Sequence, residues 1–181
     1  MFPELETDRL LLREIEEKDV KAIYSILSRP DVTVHYGQEP FTTIEEARSL
    51  LAIFKMNYSM QKGIRWGMVE KDSGAFIGTI GYHAWHQKHK RAEIGYELHP
   101  DFWKKGYGME AISEVISYGF SALQLNRISA IVYPENNSSQ KMLERAGFHK
   151  EGTLAKYMVQ NEHIYDCLMY CLLHPSLNEK K

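Results

Sequence analysis

The sequence predicts a mixed α+β fold: a central, mostly antiparallel sheet of six to seven strands, flanked by about four helices. Three observations carry this. The 181 residues suit one domain over 1–181, with a sizeable core and a loose tail from about 176. Residues 64–98 hold three strand-like runs separated by polar turns, which is the pattern of an antiparallel meander. Helical stripes precede that block, and a β-α-β-α succession follows it.

The elements follow in order. "TDRLLLREI" sets Leu10, Leu11 and Leu12 between charges and reads as a first strand. In "EEKDVKAIYSILS", Val20, Ile23, Tyr24 and Leu27 recur at helical spacing, and Pro30 is expected to close the helix. Thr43-x-x-Glu46 is a capping box for a second helix with Ala47, Leu50, Leu51 and Phe54 on its apolar stripe, ended by Gly63. The meander comprises "IRWGMVEK", "FIGTIGYHAW" and "RAEIGYELH". In its last run Ala92, Ile94, Tyr96 and Leu98 alternate with Glu93, Gly95 and Glu97, giving one apolar face and one polar face. After Pro100, a stripe of Ala111, Ile112, Val115, Ile116 and Phe120 marks a third helix over 108–123. The strand "RISAIVY", a loop with a short helix "PENNSSQKMLERAGF" ended by Gly147, and the strands "KEGTLAKYMVQ" and "HIYDCLMYCLL" complete the chain.

Composition excludes several classes. With 44% hydrophobic and 25% charged residues the chain is not globally disordered, and a net charge of −2 marks no surface for nucleic acid or anionic membrane. There is no apolar run long enough to span a bilayer and no signal-peptide pattern, so a cytoplasmic location is expected. Cys167 and Cys171, four residues apart in apolar surroundings, read as reduced packing residues on one face of a strand. His83, His86 and His89 lack metalloprotease spacing and read as a polar hairpin tip, so no metal is expected.

The stretch with chemistry in it is Phe102–Ala111, "FWKKGYGMEA". The first N–H groups of a helix lack internal partners and attract an anion, and glycine lets the backbone approach it. Gly106 and Gly108 stand at that point with Lys104 and Lys105 beside them. Glu110 suits the same helix end as a structural choice. Gly106-x-Gly108-x-x-Ala111 is open to three readings: a tight turn, a dinucleotide loop or an acyl-CoA pyrophosphate loop. A dinucleotide loop follows tightly on a fully buried strand, whereas here residues 100–105 intervene and the preceding strand alternates. No GxxxxGK[ST] exists.

"AEIGYELHPDFWKKGYGMEA", then "YPENNSSQKMLERAGF", resembles the GCN5-related N-acetyltransferases (GNAT), in the branch of the ribosomal-protein alanine N-acetyltransferases. "TDRLLLRE" and "GF-x-x-EG" extend the likeness over most of the chain. The resemblance implies a twisted sheet splayed at the cofactor site. It implies acetyl-CoA as co-substrate, its pyrophosphate wrapped by the backbone of Lys104, Lys105, Gly106, Tyr107, Gly108 and Met109. It further implies free backbone N–H groups over Tyr96–His99, with Leu98 and His99 at the cofactor. Asn136 would bind the pantetheine amide, and Ser139 would protonate the departing sulfur. Trp103 departs from the family's Gln/Arg at the head of the loop.

The chemistery-bearing requirements of amine acetylation are modest: positioning, a donor to the developing oxyanion, a sink for the amine proton and a source for the thiolate. Glu93 is the expected base, with Glu97 the other carboxylate of the same face and a solvated strand carboxylate the plain alternative. The carboxylate that some relatives carry near "AKYMV" is replaced by Met158. Gly95 fits either the splay or a bulge. Three functions result: acetylation of a protein N-terminal α-amine, acetylation of a small-molecule amine such as a polyamine or antibiotic, and a non-catalytic acyl-CoA module. The partners expected are an amine-bearing protein or small molecule, without nucleic acid or membrane, and a homodimer stays open. Acceptor choice is expected from residues 16–62 and the hairpin over 152–166.

Overall fold

The computed structural model describes residues 1–177. Its strands are β1 (Leu5–Glu6), β2 (Leu10–Arg13), β3 (Ile64–Glu70), β4 (Phe76–His86), β5 (Arg91–Leu98), β6 (Arg127–Val132), β7 (His149–Gln160) and β8 (His163–Leu173). They form one sheet in the order β1-β2-β3-β4-β5-β6-β8-β7. The helices are α1 (Val20–Leu27), α2 (Pro30–Thr33), α3 (Ile44–Ser59), α4 (Tyr107–Ser121) and α5 (Asn137–Arg145). The mixed α/β fold is as the sequence predicts, with eight strands and five helices among the described residues. The extra strand is the two-residue β1, too short for any periodicity. The extra helix starts at Pro30, which opens a turn instead of closing one, because proline's missing N–H costs nothing at a first helical position. Of the expected loose tail, 175–177 form a short 3-10 turn and 178–181 lie outside the described residues. No helix among the described residues is long and apolar enough to cross a membrane.

Helix boundaries have visible causes. The Glu46 carboxylate reaches back to accept the N–H groups of Thr42 and Thr43 at 2.7 and 2.8 Å, fastening the start of α3. Gly63 does not end that helix; Met60 caps it, and Gln61 turns left-handed at φ 54°. Glycine at 63 serves the sheet instead, since a Cβ there would lie 2.6 Å from the Tyr82 carbonyl. Gly147, at φ 95°, does turn the chain out of α5.

The sheet divides two cores. Cross-paired rows such as Ile64–Tyr82–Ile94 and Trp66–Ile80–Tyr96 put one face of the sheet against Ala111, Ile112 and Val115 of α4. The fully buried Trp66 anchors this layer; burying one such aromatic contributes on the order of 3 kcal/mol. The opposite face carries the rows Arg65–Gly81–Gly95 and Gly67–Thr79–Glu97, and α1 and α3 cover it with a second apolar cluster built on Ile23, Ile26, Leu27, Ala47 and Leu51. Thus β5 has α4 under its even-numbered residues and a polar roof over its odd-numbered ones.

All neighbouring strands are antiparallel except β5 and β6. That parallel pair holds only over Arg91↔Arg127, Ala92↔Ile128 and Glu93↔Ser129. Beyond Glu93 the two strands have no ladder and the sheet opens into a gap.

Candidate active site

A cleft of about 1070 Å³ runs through the gap. Its two ends are built from different parts of the chain, and β5 separates them.

At one end α4 begins at Tyr107 with Gly106 as its N-cap in the left-handed region, φ 87°. Lys104 is also left-handed, φ 59°, so the loop turns its backbone twice within three residues. The first backbone bond of the helix is Glu110 N–H to the Gly106 carbonyl at 3.1 Å. The N–H groups of Tyr107, Gly108 and Met109 therefore precede the ladder and make a donor-rich mouth. Gly106, Gly108, Met109 and Lys104 line the cleft, joined by Lys141 and Arg145 of α5. Glycine at 108 has a packing reason as well: a Cβ there would stand 2.9 Å from the Met142 sulfur of α5.

The loop is braced from behind. Arg9 donates to Glu110 from its backbone N–H at 2.8 Å and its Nε at 2.7 Å, and from Nη1 to the Lys105 carbonyl at 3.0 Å. Thr7 donates its hydroxyl to the same carboxylate. The Arg9 guanidinium lies 4.3 Å over the Tyr107 ring, whose hydroxyl donates to Glu70. Burial works against the ionised Glu110 carboxylate, but the hydrogen bonds from Thr7 and Arg9 outweigh it and hold its pKa below the usual range. Glu110 and "TDR" are thus parts of one structural device, which spacing alone did not reveal.

The next cleft wall is the backbone of β5. His99 N–H donates to the Ile77 carbonyl of β4 at 2.7 Å, and the Lys90 carbonyl accepts from Asn126 at 2.7 Å on the β6 side. Backbone direction alternates along a strand, so Tyr96 and Leu98 turn their N–H groups into the gap and Glu97 and His99 turn theirs to β4. The expected run of free donors over Tyr96–His99 is corrected to these two. Leu98 lines the cleft, and its carbonyl accepts the Trp103 indole N–H at 2.7 Å. Trp103 therefore folds the loop back on β5 where the general family pattern has a polar side chain. His99 sits outside the cleft, its Nδ1 accepting from Asp101 N–H at 3.3 Å. Lys105 is also outside, with its ammonium 5.5 Å over the Phe102 ring. Tyr107 contributes its backbone to the mouth while its side chain is buried behind it.

Across the gap, Asn136 caps α5: its Oδ1 accepts Ser139 N–H at 3.1 Å, which leaves its amide NH₂ for the cleft. Ser139 Oγ lies 2.7 Å from the Tyr96 hydroxyl. Burial pushes the Tyr96 phenol up to about 12, with the Ser139 bond opposing, so the phenol keeps its proton at neutral pH. The sequence reading used Tyr96 for its apolar-face side chain and its backbone N–H; its hydroxyl is the signal that was missed.

The other end has a polar floor. Arg65 donates from Nε to Thr79 Oγ1 at 2.7 Å, from Nη1 to the Gly95 carbonyl at 2.7 Å, and from Nη2 to Glu97. Glu97 also accepts from Thr79, and from Tyr36 at 2.7 Å. Its carboxylate is 6% exposed, so the residue expected on an open polar face lies within a closed charge network. Glu93 lies at the end of the β5–β6 ladder, its Oε1 2.8 Å from His83 Nε2. Gly95 marks no bulge: the register runs evenly through Gly81↔Gly95, and a Cβ there would press within 3.2 Å of Arg65 and 3.4 Å of His83.

The wall above this floor is a loop after α2. Gln160 of β7 ties it down by donating to the carbonyls of Thr33 and Gln38 at 2.8 and 2.9 Å and accepting from Gly37 N–H at 3.2 Å and Tyr133 at 3.0 Å. Met158 touches Gly37 and lines the cleft. Elsewhere Cys167 and Cys171 are free and buried on β8. Cys171 lies with His149 and Glu151 in a group of ligand-type atoms within 4.8 Å, but Arg127 already grips the Glu151 carboxylate at 2.7 Å.

Comparison with known proteins bears on this cleft. A family model described as "Acetyltransferase (GNAT) domain" matches residues 9–149. The chain is 49% identical to the "Uncharacterized N-acetyltransferase YoaA" of Bacillus subtilis, over 97% of this chain and 99% of that protein. It is 25% identical to the spermidine N(1)-acetyltransferase of Vibrio cholerae, over 96% of this chain and 98% of that one. The crystal structure of a GNAT-family acetyltransferase from Bacillus anthracis superposes with a TM-score of 0.81 at 30% identity, covering 96% and 98% of the two chains.

Proposed function

The chain belongs to the GNAT acetyltransferase family and is an N-acetyltransferase with acetyl-CoA as donor; from that premise we propose that its acceptor is a protein N-terminal α-amine, of the ribosomal-protein type, attacking in a ternary complex. Membership sets aside the non-catalytic acyl-CoA module.

The observation that carries the acceptor is the state of the cleft's carboxylates. Asp31, Glu93, Glu97 and Glu135 line it. Arg29 pairs with Asp31 at 2.9 Å and Arg65 with Glu97, while Glu93 is hydrogen-bonded to His83. A polycation needs several carboxylates in want of a cation, whereas two of these four already have one and a third accepts from a ring N–H. A single primary amine needs less. An α-amine, with a reference pKa of about 8 against about 10.4 for a lysine-type amine, also gives up its proton more readily at neutral pH.

Acetyl-CoA fits the residues present. The α4 mouth with Lys104, Lys141 and Arg145 suits the phosphates, and Leu98, Tyr96 and Asn136 offer backbone and amide groups to the pantetheine arm. The donor supplies an already activated thioester. The chain's own residues do the rest. Tyr96 N–H, pointing into the gap, is placed to donate to the carbonyl oxygen as negative charge develops there. The amine proton leaves toward the polar face of β5, where Glu93 stands beside His83. Ser139, hydrogen-bonded to the protonated Tyr96, donates to the departing sulfur and is replenished from the phenol. We infer a cytoplasmic setting, with which the free, buried Cys167 and Cys171 are consistent.

The second reading, a small-molecule amine, is favoured by the spermidine-acetylating relative. Thiol release from acetyl-CoA against a panel of Ala-, Ser- and Met-initiated peptides, polyamines and aminoglycosides separates the two. Preference for the peptides is the expected result. Turnover confined to spermidine or an aminoglycoside would replace the protein acceptor with a small one.

A further inference from the structure

We propose that the atom receiving the amine proton is Nδ1 of His83, and that Glu93 acts by holding that imidazole. The inference rests on the acetyltransferase reading above and concerns which side chain completes its acceptor end.

The geometry comes from the pairing of β4 and β5. His83 and Glu93 are direct cross-strand partners, so their side chains leave the sheet on the same face. Glu93 Oε1 lies 2.8 Å from His83 Nε2, and among the described residues no other group hydrogen-bonds the ring. A carboxylate accepts only, so Nε2 carries the hydrogen, and in the neutral ring the lone pair is on Nδ1. That nitrogen leans over Gly95: a Cβ at position 95 would lie 3.6 Å from Nδ1 and 3.4 Å from Cε1. Gly95 is one pleat along β5 from Tyr96, whose hydroxyl meets Ser139, and His83, Gly95, Tyr96 and Ser139 all line the one cleft. The missing side chain at 95 is what lets the imidazole reach over the strand toward the gap.

The charged groups facing the ring are Glu93 from β5 and Arg65 from β3, while α3 presents the uncharged Asn57. Arg65 is held by Thr79, Gly95 and Glu97, so the charged partner in direct contact with the ring is Glu93. Imidazole chemistry also matches the acceptor. Passing a proton to one and the same imidazole is about 250-fold easier from an α-ammonium (about 8) than from a lysine-type ammonium (about 10.4). The step balances as follows. The ammonium gives one proton to Nδ1, and the freed nitrogen lone pair forms the C–N bond as the C–S bond breaks. The nitrogen's second proton leaves to solvent as the amide forms, the sulfur takes one from Ser139, the Ser139–Tyr96 pair regains one from solvent, and His83 discharges its proton to solvent. The overall products are amide, thiol and one released proton.

The test is the pH dependence of kcat/KM from pH 5.5 to 9.5 for wild type, His83→Gln and Glu93→Gln, using the best amine of the panel, with acetyl-CoA affinity measured by calorimetry. Wild type is expected to rise through an inflection in the imidazole range. His83→Gln is expected to lose that inflection and about 30- to 300-fold in kcat/KM at pH 7. Its deficit should narrow toward pH 9.5, where the amine loses its proton unaided, with acetyl-CoA affinity unchanged. Glu93→Gln keeps the base but loses the charge that favours the imidazolium, so its inflection should move to lower pH with a smaller loss. An unchanged inflection in His83→Gln, or a loss below about threefold at pH 7, overturns the proposal and leaves the acetyltransferase reading standing. No turnover by wild type on any amine overturns both.

Discussion

On the proposed reading, the cofactor end of the cleft would meet its ligand with backbone and the acceptor end with side chains. At the cofactor end the donors are N–H groups of Tyr107–Met109 and of Tyr96 and Leu98 on β5, one continuous stretch over 96–109. At the acceptor end Tyr36, Arg65, Thr79, His83, Glu93 and Glu97 come from a loop and three strands, and Tyr36 reaches Glu97 across 61 positions. A backbone donor set is indifferent to most side chains, so it can serve one unvarying donor molecule. A side-chain floor changes with each substitution, which is where differing acceptors must be read.

The largest break of that contrast is Gly108→Glu. Bulk and negative charge at the helix mouth are expected to weaken acetyl-CoA binding by about 100-fold or more, measured by titration calorimetry. Gly108→Ala, whose Cβ meets only the mobile Met142 sulfur, should cost less than about fivefold and separates packing from charge. Equal affinity in Gly108→Glu and wild type would move the phosphate site away from α4.

At the acceptor end the corresponding break is in stability. Arg65→Met leaves the Glu97 carboxylate buried without its cation and should cost about 3–5 kcal/mol in a urea melt. Replacing Glu97 by Met as well should recover most of it. If the single substitution is neutral, the floor is not a closed charge network.

Between the ends, Ser139→Ala should lower turnover by about tenfold and acetyl-CoA affinity by less than twofold, with Tyr96→Phe close to it because the two hydroxyls form one relay. An unaltered rate in both removes the pair as the source of the thiol proton.

The smallest effect tests the brace. Glu110→Gln should weaken acetyl-CoA by about three- to fivefold, by loosening the loop without touching the ligand. Acid should do the same to wild type. The Glu110 carboxyl is held below its ordinary pKa, so its bonds stabilise the fold above the ordinary carboxylate range and are lost as pH falls through the depressed value. In Glu110→Gln that part of the acid-dependent weakening should be absent; an identical acid limb in both proteins argues against the brace.

Legibility in the sequence follows the same division. Gly106 and Gly108 before a periodic stripe, and "NNSS" before another, announce helix mouths because helix starts are local events written in adjacent residues. The meander was readable for the same reason, whereas the opening of β5 from β6 was expected from the family resemblance alone. Alternation in "AEIGYELH" placed Glu97 on the polar face but not inside it, since burial there comes from Tyr36 and Arg65, which no local pattern links to it. Gly63 was misread as a helix end, and Gly95 was left open between splay and bulge, because their demands arise from the neighbouring strands β3 and β4. Gln160, with three hydrogen bonds from a strand end to a segment more than 120 positions earlier and a fourth from Tyr133, has no signature at all.

The grip of Thr7 and Arg9 on Glu110 spans more than 100 positions and joins the open edge of the sheet to the α4 mouth. A ligand that binds only the folded protein stabilises by mass action, by about 2.7 kcal/mol at a hundred times its Kd. With the phosphates at the α4 mouth, as proposed, part of that energy would reach β1 and β2, the last strands on an edge where unpaired backbone invites a foreign strand. Acetyl-CoA would then serve this chain as an edge guard, and its removal would show first as faster amide exchange near Leu10, far from the thioester.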